Sequence, residues 1–170
     1  GGVCMFNGIS WSALDKRDGI GSNEFALPSA ITQDKEGDMW FAAGLTRYRR
    51  SEIEPAVEIA SIQTAKRTYS RHEIAEMKSI TAETQITIKY NAIDFITHPS
   101  KRQYRYRVRE LQMLKEWSPA NRQTNWNFVF NSAGTYTFEV QAINRDLRYS
   151  EPASISFKVV PIWYMNGWII

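Results

Sequence analysis

The chain has 170 residues, of which 43% are apolar and 13% aromatic, so a packed core is expected and global disorder is excluded. Its net charge of +3 gives little support for nucleic-acid binding, and a single cysteine excludes an internal disulfide framework. No run of about 18 apolar residues occurs, so no transmembrane helix is expected within the chain.

The first fifty residues predict short antiparallel strands joined by tight turns. Glycines recur between short apolar segments, and Asn-Gly, Asp-Gly and Glu-Gly pairs end at Gly8, Gly19 and Gly37. The predicted strands cover residues 3–6, 9–14, 30–33, 39–42 and 45–48.

Residues 51–56 are predicted to form a linker, after which the pattern changes. Apolar and polar residues then alternate with a period of two over six segments, which predicts strands with one buried and one exposed face. These segments are 57–61, 86–92, 104–109, 125–130, 136–142 and 154–159. The first is expected to place Val57, Ile59 and Ser61 on one face. About seven strands in about 110 residues are typical of an immunoglobulin-like or fibronectin-III-like sandwich.

One short helix is predicted between the first two of these strands. Ser70 followed by Glu73 fits a capping box, and Ile74 and Met77 fit one apolar stripe. An irregular connection is the alternative.

Residues suited to catalysis or metal binding do not form a recognisable motif. His72 is followed four residues later by Glu76, where a zinc-protease helix needs a second histidine, so no metal site is predicted. Cys4 is expected to be a buried structural thiol. Asp34 and Asp38 are interpreted as bonding a turn backbone in preference to hydrolysing glycosides. Neither an enzyme nor a cofactor is predicted.

A row of three arginines is the basic feature that suggests a ligand. Arg105, Arg107 and Arg109 alternate with Tyr104 and Tyr106, which are expected to face the core. Arginine forks suit sulfate and carboxylate groups, so one hypothesis is contact with an anionic glycan or a partner subunit. The alternative is the solvated face of a strand. No aromatic residue is expected on this face to stack bases, so nucleic acid is not predicted as a partner.

The order of these residues resembles two neighbouring families. The first fifty residues resemble one repeat of the two-component regulator propeller, and the rest resembles the three-tyrosine domain that follows such propellers in hybrid sensor kinases. Matching residues in the first part include Trp11, Asp18, Gly19, Asn23, Asp34, Gly37, Trp40, Phe41, Gly44 and Tyr48. Those in the second part include Tyr90, Tyr104, Tyr106, Trp117, Gly134, Tyr136, Phe138, Asp146, Trp163 and Trp168. Leu147 stands where the family often has glycine.

The resemblance implies an all-β chain, with a propeller-blade fragment at residues 1–50 and an immunoglobulin-like sandwich at 57–170. Because a single blade has two exposed edges, residues 1–50 are expected to pack on the sandwich or to pair with another copy. The sandwich core is expected to contain Tyr106, Trp117, Tyr136 and Phe138. The aromatic end of the chain, residues 161–170, predicts either a membrane-proximal segment before a transmembrane span or a last edge strand.

The resemblance further implies a function in signal reception. Chains of this kind form the extracytoplasmic sensor region of membrane-bound two-component regulators, lie on the periplasmic or extracellular side, work as homodimers and respond to glycans through their propellers. The alternative is a carbohydrate-binding or adhesion module of a secreted protein.

Overall fold

The computed structural model describes residues 2–22, 30–42, 44–77, 79–109 and 116–162. In these ranges the chain forms strands and three single turns of 3-10 helix, so the predicted all-β class is confirmed. The strands are β1 (Val3–Phe6), β2 (Trp11–Leu14), β3 (Ile31–Gln33), β4 (Met39–Phe41), β5 (Thr46–Tyr48), β6 (Ala56–Gln63), β7 (Thr68–Ser70), β8 (Ile80–Thr81), β9 (Gln85–Ile93), β10 (Gln103–Arg109), β11 (Asn125–Val129), β12 (Gly134–Ile143) and β13 (Ala153–Val160).

The second part of the chain is a sandwich of two four-stranded sheets. One sheet has the order β10-β12-β13-β8 and the other β11-β9-β6-β7. Neighbouring strands are antiparallel except β13 and β8, which pair in parallel where Val159 lies opposite Ile80. The alternation predicted from the sequence places apolar residues of both sheets in one core.

Aromatic rings dominate this core and tie the sheets together. The ring of Trp126 lies 5.0 Å from that of Phe138 in the opposite sheet, and Phe130 lies 5.3 Å from Phe157. Such ring pairs add about 0.5–1.5 kcal/mol each beyond the area that they bury. The buried hydroxyl of Tyr104 accepts a hydrogen bond from the backbone N–H of Ala92 at 3.2 Å. Polar groups of core tyrosines therefore find partners on the backbone.

A β-bulge in β6 corrects one predicted face. Ile59 pairs with Tyr90 and Ser61 with Lys89, so Ala60 is an extra residue without a partner across the strand pair. The bulge reverses the alternation, and the fully buried side chain after Ile59 is Ile62. Our prediction that Ser61 shares the buried face with Ile59 was therefore wrong.

The predicted helix is a single 3-10 turn, Ile74–Glu76. The backbone N–H and the hydroxyl of Ser70 both donate to the Glu73 carboxylate, which lowers the pKa of Glu73 to about 2. Ile74 and Met77 pack against the sandwich core, as the apolar stripe suggested. The predicted contact between Ser70 and Glu73 is therefore present, but the 3-10 turn begins after Glu73, has no side-chain cap and does not extend into an α-helix.

The described strands of the first fifty residues form two small antiparallel sheets, β1-β2 and β3-β4-β5. They share a small core in which Leu14, Ile20 and Phe41 are buried. Alternation along β1 turns Val3 and Met5 toward this core and leaves Cys4 exposed. Our expectation of a buried thiol at Cys4 was therefore wrong. Whether these two sheets represent a propeller blade stays a prediction.

Candidate functional site

The two N-terminal sheets pack on one end of the sandwich through charged side chains. Lys101 is the centre of this junction and is only 8% exposed. Its Nζ lies 3.0 Å from the backbone oxygen of Ala13 and 3.0 Å from the carboxylate of Asp15, and it also donates to Asp18. The three N–H groups of the ammonium therefore all have acceptors in the N-terminal part.

Two short turns present these groups to each other. Asp15 caps the 3-10 turn Lys16–Asp18, which ends at Gly19 with a φ of 92°, a conformation that glycine adopts without strain. Lys101 ends the second turn, Pro99–Lys101. Hydrogen bonds from Arg17 and Lys101 hold the pKa of Asp15 well below its usual range. Asp15 therefore carries its charge at every pH near neutrality.

A second contact surrounds Asp146 in the turn between β12 and β13. This buried carboxylate accepts hydrogen bonds from the Tyr48 hydroxyl and from the Ser51 backbone N–H at 3.3 Å. Arg50 donates to the Asp146 backbone oxygen at 2.7 Å. Burial, together with the hydrogen bond to Asp146, raises the pKa of Tyr48, so this hydroxyl stays protonated as a donor. The turn thus holds both β5 and the predicted linker.

A third contact runs through Tyr149. Its hydroxyl lies 3.0 Å from the Ser10 hydroxyl and 3.3 Å from the Asn7 amide, both in the β1-β2 turn. The Arg105 guanidinium stacks on the Tyr149 ring at 4.2 Å and on the Trp117 ring at 4.7 Å. This stack connects the β1-β2 turn to the outer face of the β10 sheet.

The arginine row lies on that outer face, and each member has a partner within the chain. Arg105 donates to Gln141 at 2.9 Å, while Arg107 and Arg109 both bind Glu139. Burial acts to raise the pKa of Glu139, but the hydrogen bonds from the two arginines outweigh it and lower the pKa. The row is therefore partly neutralised, and its predicted binding of an anionic glycan or a partner stays a prediction.

Trp117 corrects two sequence expectations. It lies outside the sandwich core, since Arg107 as well as Arg105 stacks on its ring, with the Arg107 guanidinium at 4.4 Å. Aromatic rings are also present on the arginine face, although none was expected there. Trp117 lies beyond the end of a strand, so alternation does not assign its side, but Arg105 and Arg107, two residues apart on one strand face, offer its ring a cationic surface.

The other predicted structural residues lie in different parts of the fold. Tyr90, Tyr104, Tyr136 and Phe138 belong to the sandwich core, and Tyr106 is half-buried against it. Gly134 begins β12 beside the Tyr136 ring. Trp40 lies in β4, where its indole N–H donates to Asp34 at 2.8 Å. The predicted membrane-proximal residues Trp163 and Trp168 lie outside the described residues.

Of the two aspartates singled out in the sequence, Asp34 bonds its own turn as predicted, whereas Asp38 binds arginines instead. Asp34 accepts hydrogen bonds from the backbone N–H groups of Glu36 at 3.1 Å and Asp38 at 2.9 Å. Asp38 is buried and binds Arg47 and Arg49. Across the described ranges, no group of histidine, cysteine and carboxylate side chains could hold a metal ion. No helix in the same ranges is long and apolar enough to cross a membrane.

Comparisons with known proteins find similarity to a histidine kinase and to extracellular domains of bacterial two-component systems. Histidine kinase P4 of Formosa agariphila is 24% identical over 172 residues, which are 91% of this chain and 12% of that protein. The extracellular domain of a protein described as a hybrid two component system of B. thetaiotaomicron has a TM-score of 0.56 at 19% identity, covering 89% of this chain and 22% of that one. A second such domain from the same organism has a TM-score of 0.50 at 14% identity, covering 78% and 20%.

These likenesses differ in what they establish. At this level of identity the two solved structures support the fold alone, and the chain spans about an eighth of the curated relative. A family model described as the Y_Y_Y domain matches residues 96–160, which run from the turn before β10 to the end of β13. Residues 96–160 therefore match the Y_Y_Y domain, and the fold is similar to that of extracellular domains of two-component systems.

Proposed function

We propose that the chain is part of the extracytoplasmic sensor region of a membrane-bound hybrid histidine kinase, and that it relays movement without catalysing a reaction. In this proposal residues 1–50 are a propeller-blade fragment, 51–56 a linker, and 57–170 the immunoglobulin-like domain next to the membrane. The relay works in a homodimer on the periplasmic or extracellular side and responds to a glycan bound by other parts of the protein. The similarity to extracellular sensor domains supports this assignment.

The charged junction is the observation that carries the proposal. Lys101 binds the turn around Asp15 and Asp18, while Asp146 binds β5 and the predicted linker. A displacement of the N-terminal sheets must therefore either break buried polar contacts or move the sandwich as well. Because buried charges without partners are costly, moving the sandwich is favoured. Such rigid-body movement is a known way to pass a signal between parts of a protein.

The test is the resting activity of the full-length kinase in membranes. Lys101→Ala should change autophosphorylation from labelled ATP by about fivefold or more, since that is the usual size of coupling between sites. Lys89→Ala removes the same charge from the exposed outer face of β9 and is the matched control. Equal autophosphorylation in Lys101→Ala and in the unchanged protein, at equal amounts of folded kinase, would refute the relay.

One surface favours the alternative, a carbohydrate-binding or adhesion module. Phe6 and Trp11 stack at 4.7 Å on the exposed face of the β1-β2 hairpin, and Trp11 is 63% exposed. Exposed rings can bind the apolar face of a sugar. Titration of the 170-residue chain with oligosaccharides, followed by tryptophan fluorescence, tests this function. Saturable quenching that Trp11→Ala abolishes would support it.

A further inference from the structure

A polar cleft separates the N-terminal sheets from the sandwich beside Lys101. Its volume is about 320 Å³, at the lower end of the range for small-molecule sites. Asp15 and Arg17 line it from the N-terminal part, and Ser100, Lys101, Gln103 and Arg122 from the sandwich. A molecule bound there would contact both parts at once.

The lining has three cations and one carboxylate, which favours an anion. Lys101 contributes charge but no free donor, because its three N–H groups already have acceptors. Arg17 donates to Asp15 and, at 3.4 Å, to Ser100. Arg122 is exposed and makes no hydrogen bond or ion pair with any residue in the described ranges. Its guanidinium therefore offers a complete fork of donors to a ligand.

The same lining discriminates among anions. The Asp15 carboxylate lies in the cleft and repels a doubly charged sulfate or phosphate more strongly than a singly charged carboxylate. The planar fork of Arg122 matches carboxylate and tetrahedral oxyanions alike, so the discrimination comes from the charge of Asp15. The Gln103 amide N–H donates to the Trp11 carbonyl at 2.8 Å, and the Ser100 hydroxyl lies 2.9 Å from His98 Nδ1. These two side chains therefore offer acceptor oxygens, Gln103 Oε1 and Ser100 Oγ, to the hydroxyl groups of a ligand.

We propose that this cleft binds a small hydroxylated carboxylate, with its carboxylate on Arg122 and its hydroxyl groups against Ser100 and Gln103. The ligand bridges the N-terminal sheets and the sandwich, so its binding favours one arrangement of the junction over others. This regulatory consequence rests on the proposed relay, whereas the binding site does not.

Calorimetric titration of the 170-residue chain with gluconate tests the site, with sorbitol as the uncharged analogue and sulfate as the inorganic anion. Gluconate is expected to bind with one molecule per chain, sulfate more weakly, and sorbitol not at all. Arg122→Ala should weaken gluconate binding about tenfold or more, since it removes charge-assisted hydrogen bonds. Arg122→Lys should be intermediate, because it keeps the charge and loses the fork.

Lys89→Ala controls for the loss of net charge, and it should leave gluconate binding unchanged. Three results would overturn the proposal: no heat of binding with millimolar gluconate, equal affinity for sulfate and gluconate, or equal weakening in Arg122→Ala and Lys89→Ala. None of them bears on the relay, which is tested by the autophosphorylation of Lys101→Ala. Conversely, if gluconate binds but Lys101→Ala has the same autophosphorylation as the unchanged protein, the relay is refuted and the binding site is retained.

Discussion

Asp146 is the buried carboxylate that fastens β5 and the predicted linker to the sandwich. Asp146→Ala would leave the Tyr48 hydroxyl and the Ser51 N–H without acceptors. We expect the free energy of unfolding to fall by about 1–3 kcal/mol, as for other buried donors that lose their partner. Urea denaturation of the chain measures this loss. Glu54→Ala, at an exposed position nearby, should change stability by less than about 0.5 kcal/mol; equal losses in the two variants would contradict the assignment.

Asp15 makes the junction sensitive to acid. Hydrogen bonds from Arg17 and Lys101 hold its pKa below the ordinary value of 3.8. A carboxylate with a lowered pKa stabilises the folded state above its ordinary pKa, and this contribution is lost as the pH falls toward the lowered value. The melting temperature of Asp15→Asn should therefore depend less steeply on pH than that of the unchanged chain, between about pH 5 and pH 2. Parallel curves for the two proteins would show that Asp15 does not contribute to this dependence.

Single residues at the junction were predictable from sequence only in part. Residue type predicted that an aspartate in a turn accepts hydrogen bonds from the turn backbone, and Asp34 confirms this prediction. The partnership of Lys101 with Asp18 joins residues 83 positions apart, and no local pattern relates them. Leu147 has a φ of 58° and is buried, at the position where the resembling family often has glycine. The resemblance marked Leu147 as a departure from the family, but neither its left-handed backbone nor the burial of its side chain was predicted.

At the level of elements, the bulge in β6 decides which side chains reach the core. Ile62 is fully buried, whereas Ser61 is half-buried on the opposite side. Ile62→Ala should lower the free energy of unfolding by about 2–5 kcal/mol because it leaves a cavity. Ser61→Ala should change it by less than about 0.5 kcal/mol. Urea denaturation of both variants compares them, and the reverse order would show that the bulge is misplaced.

Elements were predictable where the alternation is long. β9, β10, β12 and β13 were all anticipated, since each shows a period of two over six residues or more. β7 and β8 have three and two residues, too few for a period to be recognised. β8 pairs in parallel with β13, a partner some eighty residues away, so the sequence around it gives no turn that would set its position.

For the whole molecule, the N-terminal sheets have a much smaller hydrophobic core than the sandwich. This difference predicts that the N-terminal sheets need the sandwich in order to fold. In the described ranges the N-terminal sheets bury Leu14, Ile20 and Phe41, whereas the sandwich has an extended aromatic core. A fragment of residues 1–50 should therefore be unfolded, since so small a core cannot offset the entropy of ordering the chain. A fragment of residues 51–170 should keep a dispersed amide NMR spectrum. A folded spectrum from residues 1–50 alone would contradict this dependence.

The three acceptors of Lys101 also determine how the two parts of the molecule can move. The Ala13 carbonyl and the Asp15 and Asp18 carboxylates all lie in one short stretch of the N-terminal part. The Lys101 ammonium would therefore lose its three bonds together if this stretch moved away from it. Separation at this junction is therefore expected to be all-or-none. A weak displacing force leaves the Lys101 contacts intact, and only a force above a threshold breaks them.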